Sequence, residues 1–298
     1  MAERLDDLRA SFVRHLRAEG KAERTRRLYA MSISMFADWL TDRGRPATLE
    51  ELTRSAIREW LAELAETREA STVRTRFAGL RRFCGWLLAE GEIPAHPMKG
   101  LTAPTAAERP VPVLDDGELV ALIKACAGKD FVDRRDEALI RVLLDCGVRV
   151  SELCGLKVAD VDLDREMALI TGKANKIRPI YFSTRTIRAL DRYLRERRRH
   201  RWAHLEALWL TQRGALSTDG ARERIKARAE QAGLRDRMHP HRFRHTFAHD
   251  FLINGGGERD LMRLAGWSSD AMLSRYGAAG ADVRAREAAR RLRRGDRV

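Results

Sequence analysis

Nothing in this chain of 298 residues reads as a membrane span or a secretion signal. No apolar run approaches the roughly eighteen residues that a transmembrane helix needs. The segment from Met1 to Asp7 is charged and leads into no apolar stretch. A soluble, cytoplasmic protein is the expectation. Cysteine is scarce: Cys84, Cys126, Cys146 and Cys154 are the whole set, with no Cys-x-x-Cys pair and no zinc spacing to histidine. They read as reduced core thiols, which excludes a disulfide framework or a structural zinc site. Internal repeats and low-complexity segments are missing too. Proline is rare, and five of its eight copies fall between Pro94 and Pro112. That stretch cannot be helical and reads as a semi-extended linker.

What the chain has in excess is positive charge. The formal net charge is +14, and arginine dominates the positive set. Residues 1–104 net +3 and the remainder nets +11. A polyanion, nucleic acid ahead of membrane, is the natural partner; an arginine-rich coding background would give the same balance. Hydrophobic content of 44% is enough for real cores.

Before the linker, apolar residues recur at helical steps over 5–19, 23–42, 53–65 and 71–90. The second pattern uses Leu28, Met31, Met35, Phe36, Trp39 and Leu40. Thr53 and Ser71 are placed to cap the third and fourth. No strand pattern intervenes, so residues 1–93 are expected to be an all-helical domain. Arg24, Arg26 and Arg27 bunch near one helix start, and Arg74, Arg76, Arg81 and Arg82 near another. These are candidate phosphate contacts, although each bunch alone also reads as an ordinary polar helix face.

Residues 113–298 read as mixed. Asp115 or Asp116 caps a helix through Cys126, and another covers 131–146 until Gly147 breaks it. Ser151 can cap a short helix to Leu156. Residues 166–171 and 177–182 read as strands joined by the hairpin Gly172-Lys173-Ala174-Asn175-Lys176. Pro179 places the second strand at an edge. A very basic helix spans 184–200 and another 217–232. The central helix, 241–254, follows Pro240 and buries Phe243, Phe247, Phe251 and Leu252. Helices near 258–265, 269–276 and 281–294 close the chain. The fold class is mainly α with a small antiparallel β-sheet.

His241 and Arg244 lie three apart at the positive end of the central helix, which suits a phosphate. His241, His245 and His249 are spaced for a metal face, but there is no His-Glu-x-x-His, and the phosphate reading uses the same residues. No metal or cofactor is expected.

Arg149 in Gly-Val-Arg-Val-Ser-Glu-Leu, Lys173 on a hairpin, His241-x-x-Arg244, Gly266-Trp267 and Tyr276 occur in this order. That arrangement resembles the tyrosine recombinase (phage integrase) family, over the whole chain and most like its compact Xer-type members. The resemblance implies a SAM-like core-binding domain (1–93), a linker (94–112) and a catalytic domain of the DNA breaking-rejoining type (113–298) whose tail, 281–298, serves assembly. It implies a site-specific recombinase that works through a 3′-phosphotyrosine and a Holliday junction. Tyr276 would be the nucleophile, Arg149 and Arg244 the phosphate clamp, Lys173 the acid for the leaving 5′-oxygen, and His241 a base or further phosphate donor. Many relatives have Gly-His where Trp267 stands; an indole N–H can donate a hydrogen bond but cannot transfer a proton. The implied partners are double-stranded DNA with a specific site and three further protomers, identical or paralogous, in a nucleoid-associated bacterial complex. A type IB topoisomerase would use the same chemistry without needing the tail. An architectural DNA-binding protein would need no tyrosine.

Overall fold

The computed structural model describes residues 3–103, 112–172, 175–234 and 238–267, with positions 273, 285, 286, 289 and 290 beyond them. Lys173, Tyr276 and most of 281–298 therefore lie outside the described residues, as do most positions of the expected helices 269–276 and 281–294. The chain divides into two compact units, Met1–Glu108 and Arg109–Val298.

The first unit holds α1 (Leu5–Ala18), α2 (Glu23–Thr41), α3 (Arg54–Thr67) and α4 (Ala70–Glu90). Their core is Leu5, Phe12, Leu16, Ile33, Phe36, Leu40, Ile57, Trp60, Phe77, Leu80 and Phe83. Thr53 caps α3 as expected, its Oγ1 accepting from the Ala56 N–H at 3.3 Å. Two expectations need correction. Helix α4 starts after Glu69, so Ser71 lies inside its first turn and caps nothing. In α2 the buried line runs through Ile33, Phe36, Ala37 and Leu40, and Met31 is exposed. Three-to-four-residue steps fix the period of a stripe but not which of two adjacent rows faces inward. The described part of the proline-rich stretch is non-helical, yet Met98 is buried in this core and Ile93 and Leu101 pack on it. Its few apolar residues thus anchor its first half.

The second unit starts with α5 (Asp116–Lys124), closed by a reciprocal cap between Asp115 and Glu118. Then come α6 (Phe131–Cys146) and α7 (Val150–Cys154). Ser151 does not cap α7; Arg149 holds the cap position, and the Glu152 carboxylate reaches back to its N–H at 2.9 Å. Strands β1 (Val161–Asp162), β2 (Met167–Thr171) and β3 (Ile177–Tyr181) form an antiparallel sheet in that order, so β3 is an edge strand, as Pro179 required. At two residues β1 is too short for a period to be read, and so are β4 (Leu210–Thr211) and β5 (Gly214–Ala215). Leu169 pairs with Pro179 and Thr171 with Ile177. Alternation turns Ala168, Ile170, Arg178 and Ile180 toward the core.

After the sheet come α8 (Thr184–Arg197), α9 (Thr218–Gln231), α10 (Pro240–Ile253) and α11 (Glu258–Ala265). Helix α8 stops at Arg197 rather than 200. That arginine is buried and donates to the carbonyls of Ala203, Leu205, Ala207 and Leu208, so it organises the next loop instead of facing solvent. Helix α10 packs on α6 and α11. It buries Arg242, Phe243, Arg244, His245, Thr246, Ala248 and Leu252, while Phe247 and Phe251 are only half-buried. The cysteines are unpaired thiols, and burial pushes Cys84 and Cys126 up to about 12 and Cys154 to about 11. Among the described residues no helix is long and apolar enough to cross a membrane.

Candidate active site

The site is assembled where three helix ends meet: the end of α6, the start of α10 and the end of α11. Gly147 terminates α6 with φ +55°, in the left-handed region that glycine tolerates. A Cβ there would sit 2.7 Å from Cγ of Phe247, so the missing side chain also lets α10 approach. The chain leaving Gly147 reaches Arg149 two residues later.

Arg244 projects from α10 into this corner and is 2% exposed. Its Nη1 donates to the Gly147 carbonyl at 2.7 Å and its Nη2 to the Ala265 carbonyl at 2.5 Å. Both acceptors lie at helix C-termini, where the dipole favours a cation. The guanidinium also lies over the Trp267 ring, 5.2 Å from Cζ to centroid. Trp267 is held by its own N–H, which donates to the Met262 carbonyl at 2.9 Å and ends α11. It is buried against Ala248, Leu252, Leu261 and Ala265.

Arg149 stays partly open, with its side chain 36% exposed. One edge donates to Glu152 at 2.8 Å. Glu152 is buried and also takes two hydrogen bonds from Arg178, at 3.2 and 3.0 Å. Burial alone would raise the Glu152 pKa, but the hydrogen bonds from Arg178 and Arg149 prevail, and it sits below the ordinary carboxylate value. The carboxylate thus orients two guanidiniums.

His241 stands at the mouth, exposed, on the first turn of α10 after Pro240. Partial desolvation lowers its pKa, and the positive fields of His239, Arg244, Arg222 and Arg149 lower it further. Arg149 and Arg244, ninety-five residues apart in sequence, therefore act on one imidazole. Arg222, on α9, is a site neighbour that sequence reasoning missed; it pairs with Asp219 and no spacing rule flags it. Arg178 was missed too, although a signal existed: strand alternation puts it on the core side of β3, where a charge must find partners. Lys176 is exposed, and its carbonyl accepts from the Gly172 N–H at 2.8 Å, closing the hairpin base. His245 is buried and His249 half-buried. Among the described residues no three His, Cys, Asp or Glu side chains are grouped to hold a metal.

The arginine bunches of the first unit divide by their partners. Arg82 grips Glu19 through both carboxylate oxygens, at 2.6 and 2.8 Å. Arg76 donates to the Leu28 carbonyl, Arg81 to that of Leu101, and Arg27 pairs with Glu23. Arg26 is half-buried, whereas Arg24 and Arg74 are exposed.

Comparison with known proteins places the chain in a family. Residues 112–281 match the family model described as the phage integrase family, and residues 10–91 match that of the phage integrase N-terminal SAM-like domain. The chain belongs to the phage integrase family. It is a tyrosine-type site-specific recombinase. Tyrosine recombinase XerC of Xanthomonas axonopodis pv. citri (strain 306) is 33% identical over 244 residues, covering 80% of this chain and 78% of the relative. Tyrosine recombinase XerD of Bifidobacterium longum (strain NCC 2705) is 30% identical over 275 residues, covering 88% and 89%. Among solved structures, XerA recombinase superposes with a TM-score of 0.55 at 26% identity, covering 97% of this chain and 99% of that one. A Tn1549 transposon integrase bound to transposon right end DNA shares the fold, with a TM-score of 0.76 at 18% identity, covering 98% and 99%.

Proposed function

We propose that this recombinase cuts and rejoins double-stranded DNA with Tyr276 as nucleophile. The tyrosine Oη attacks the scissile phosphorus, the bond to the 5′-oxygen breaks, and a 3′-phosphotyrosine keeps the bond for rejoining. Arg149 and Arg244 hold the non-bridging oxygens; a guanidinium matches their geometry and stays charged. His241, whose pKa is lowered by partial burial and then by its cationic neighbours, takes the tyrosine proton. Lys173 supplies the proton that the leaving 5′-oxygen needs. Trp267 keeps Arg244 in place by stacking. A free 5′-hydroxyl from a second duplex then reverses the step, and a reciprocal pair of such exchanges makes a Holliday junction.

The observation that carries this reading is the convergence of Arg149, His241 and Arg244 on one partly open corner, with the buried Glu152 carboxylate behind it. Such an excess of fixed positive charge suits a pentavalent phosphorane. Four protomers on two duplexes, identical or paired with a paralogue, would carry out the reaction, with 281–298 joining neighbours. Integration or excision of a mobile element and resolution of dimers use the same steps and differ in the DNA site. A nicked duplex library incubated with the protein should yield a covalent adduct on a denaturing gel. Tyr276→Phe should bind DNA equally and give none; an adduct with that variant sinks the assignment.

A further inference from the structure

We infer that Arg178 is a positioning residue that locks the β2–β3 hairpin, the Arg149 clamp and the end of α11 into one register. The inference rests on the reading of the site just given and adds a residue to it. Arg178 sits on β3, and its side chain is 13% exposed. Its Nη1 and Nη2 donate to the two oxygens of Glu152, its Nε to the Leu264 carbonyl at 2.9 Å, and Nη2 also to the Ala265 carbonyl at 3.3 Å. These bonds use most of the guanidinium's N–H groups and turn them inward.

Each acceptor belongs to a piece of the site. Glu152 holds Arg149. The Ala265 carbonyl also receives Arg244, so two guanidiniums share one oxygen. Leu264 and Ala265 end the helix that leads into Trp267. The hairpin joins the same cluster: a Cβ on Gly172 would lie 3.3 Å from Arg178 Nη1 and 3.4 Å from Glu152 Oε1. Gly172 immediately precedes Lys173. On the far side, a Cβ on Gly266 would lie 2.9 Å from Arg178 Cζ. Both backbone segments are therefore moulded around this one guanidinium. A lysine could not replace it, because one ammonium cannot span a carboxylate and two carbonyls in a fixed plane.

The test uses the full chain, with Arg178→Lys and Arg178→Gln beside Lys173→Ala and Arg149→Ala. Single-turnover cleavage is measured on a normal substrate and on one whose leaving 5′-oxygen is sulfur, which departs without a proton. A displacement of about 1 Å at a reacting group lowers the rate on the order of 10²-fold. We expect both Arg178 variants to lose about that much on the oxygen substrate and to recover roughly tenfold on sulfur, since the misplaced acid is then not needed. Arg149→Ala should not recover. DNA affinity should stay within about twofold, because Arg178 faces inward. Amide hydrogen exchange in the same variants should quicken at residues 171–177 and 263–267 together, by more than at the rest of the catalytic unit. Equal losses on both substrates, or exchange that quickens at neither segment, overturns the inference. If Lys173→Ala itself shows no sulfur rescue, the assignment of the acid fails instead, and the exchange experiment alone decides on Arg178.

Discussion

Gly147→Ala probes how the site is held together. Two separate penalties are expected. An alanine at φ +55° costs about 1–2 kcal/mol relative to glycine. Its Cβ would also press into the Phe247 ring, and overpacking of that kind costs about 1–3 kcal/mol. The lower end applies here, because Phe247 is half-buried and borders a cleft of about 320 Å³ with Leu144, Asp250, Phe251, Asn254 and Gly256, into which the ring can turn. The sum is about 2–3 kcal/mol of lost stability, readable as a lower urea midpoint at unchanged slope. Cleavage should fall further than stability explains, on the order of 10²-fold, because the Gly147 carbonyl anchors Arg244 and the next turn carries Arg149. A double-mutant cycle separates the two penalties. In a Phe247→Ala background the ring is gone, and Gly147→Ala should cost only the backbone share. An identical cost in both backgrounds would refute the close-approach argument.

Arg222→Ala removes one of the cations that depress His241, so the His241 pKa should rise toward its ordinary value and the acid limb of kcat/KM should move to higher pH; an unmoved limb excludes Arg222 from the site's field. Glu152→Gln leaves about two of four N–H donors without an acceptor and should destabilise by about 2–4 kcal/mol in urea unfolding at pH 7. The folded-state pKa of Glu152 is lowered, so its contribution is present above the ordinary carboxylate range and is lost as pH falls through the folded value. The variant should therefore show a shallower acid decline, and a parallel pair of curves tells against it. Arg24→Ala and Arg74→Ala should each reduce the slope of log K against log salt by about 0.9, while Arg82→Ala, whose charge is engaged by Glu19, should change it less; equal changes in filter binding would contradict the division of these arginines.

Helices were legible because their apolar period is long. Thr53, Pro240 and the break at Gly147 also mark their ends by local chemistry that needs no tertiary contact. The row of α2 that faces inward was not legible, since Met31 and Ile33 are both apolar and the choice is made by where α4 lies. Strands of two residues carry no period at all. In the site, Arg149, His241 and Arg244 could be found as residue types at helix starts, where a phosphate is favoured. Their joint geometry could not, because Arg244 is placed by the backbone carbonyls of Gly147 and Ala265, and every residue has a carbonyl.

That use of main-chain acceptors bears on how the corner stays positive. Several buried carboxylates would neutralise the guanidiniums and leave no field for a phosphate. Helix C-terminal carbonyls offer partial negative charge instead, enough to satisfy N–H groups without cancelling a full unit. Arg244 uses such acceptors: it donates to the carbonyls of Gly147 and Ala265. Arg178 is different: it takes Glu152 as well, and that carboxylate also binds the more open Arg149. Glu152 is shared between Arg149 and Arg178, which leaves positive excess on the side where His241 stands exposed. A second buried acid beside Arg244, as in Ala265→Asp, should collapse that field. It should raise the His241 pKa and abolish cleavage, and both are measurable, by histidine NMR titration and by adduct formation. If His241 titrated unchanged in such a variant, the positive excess would have to come from elsewhere in the chain.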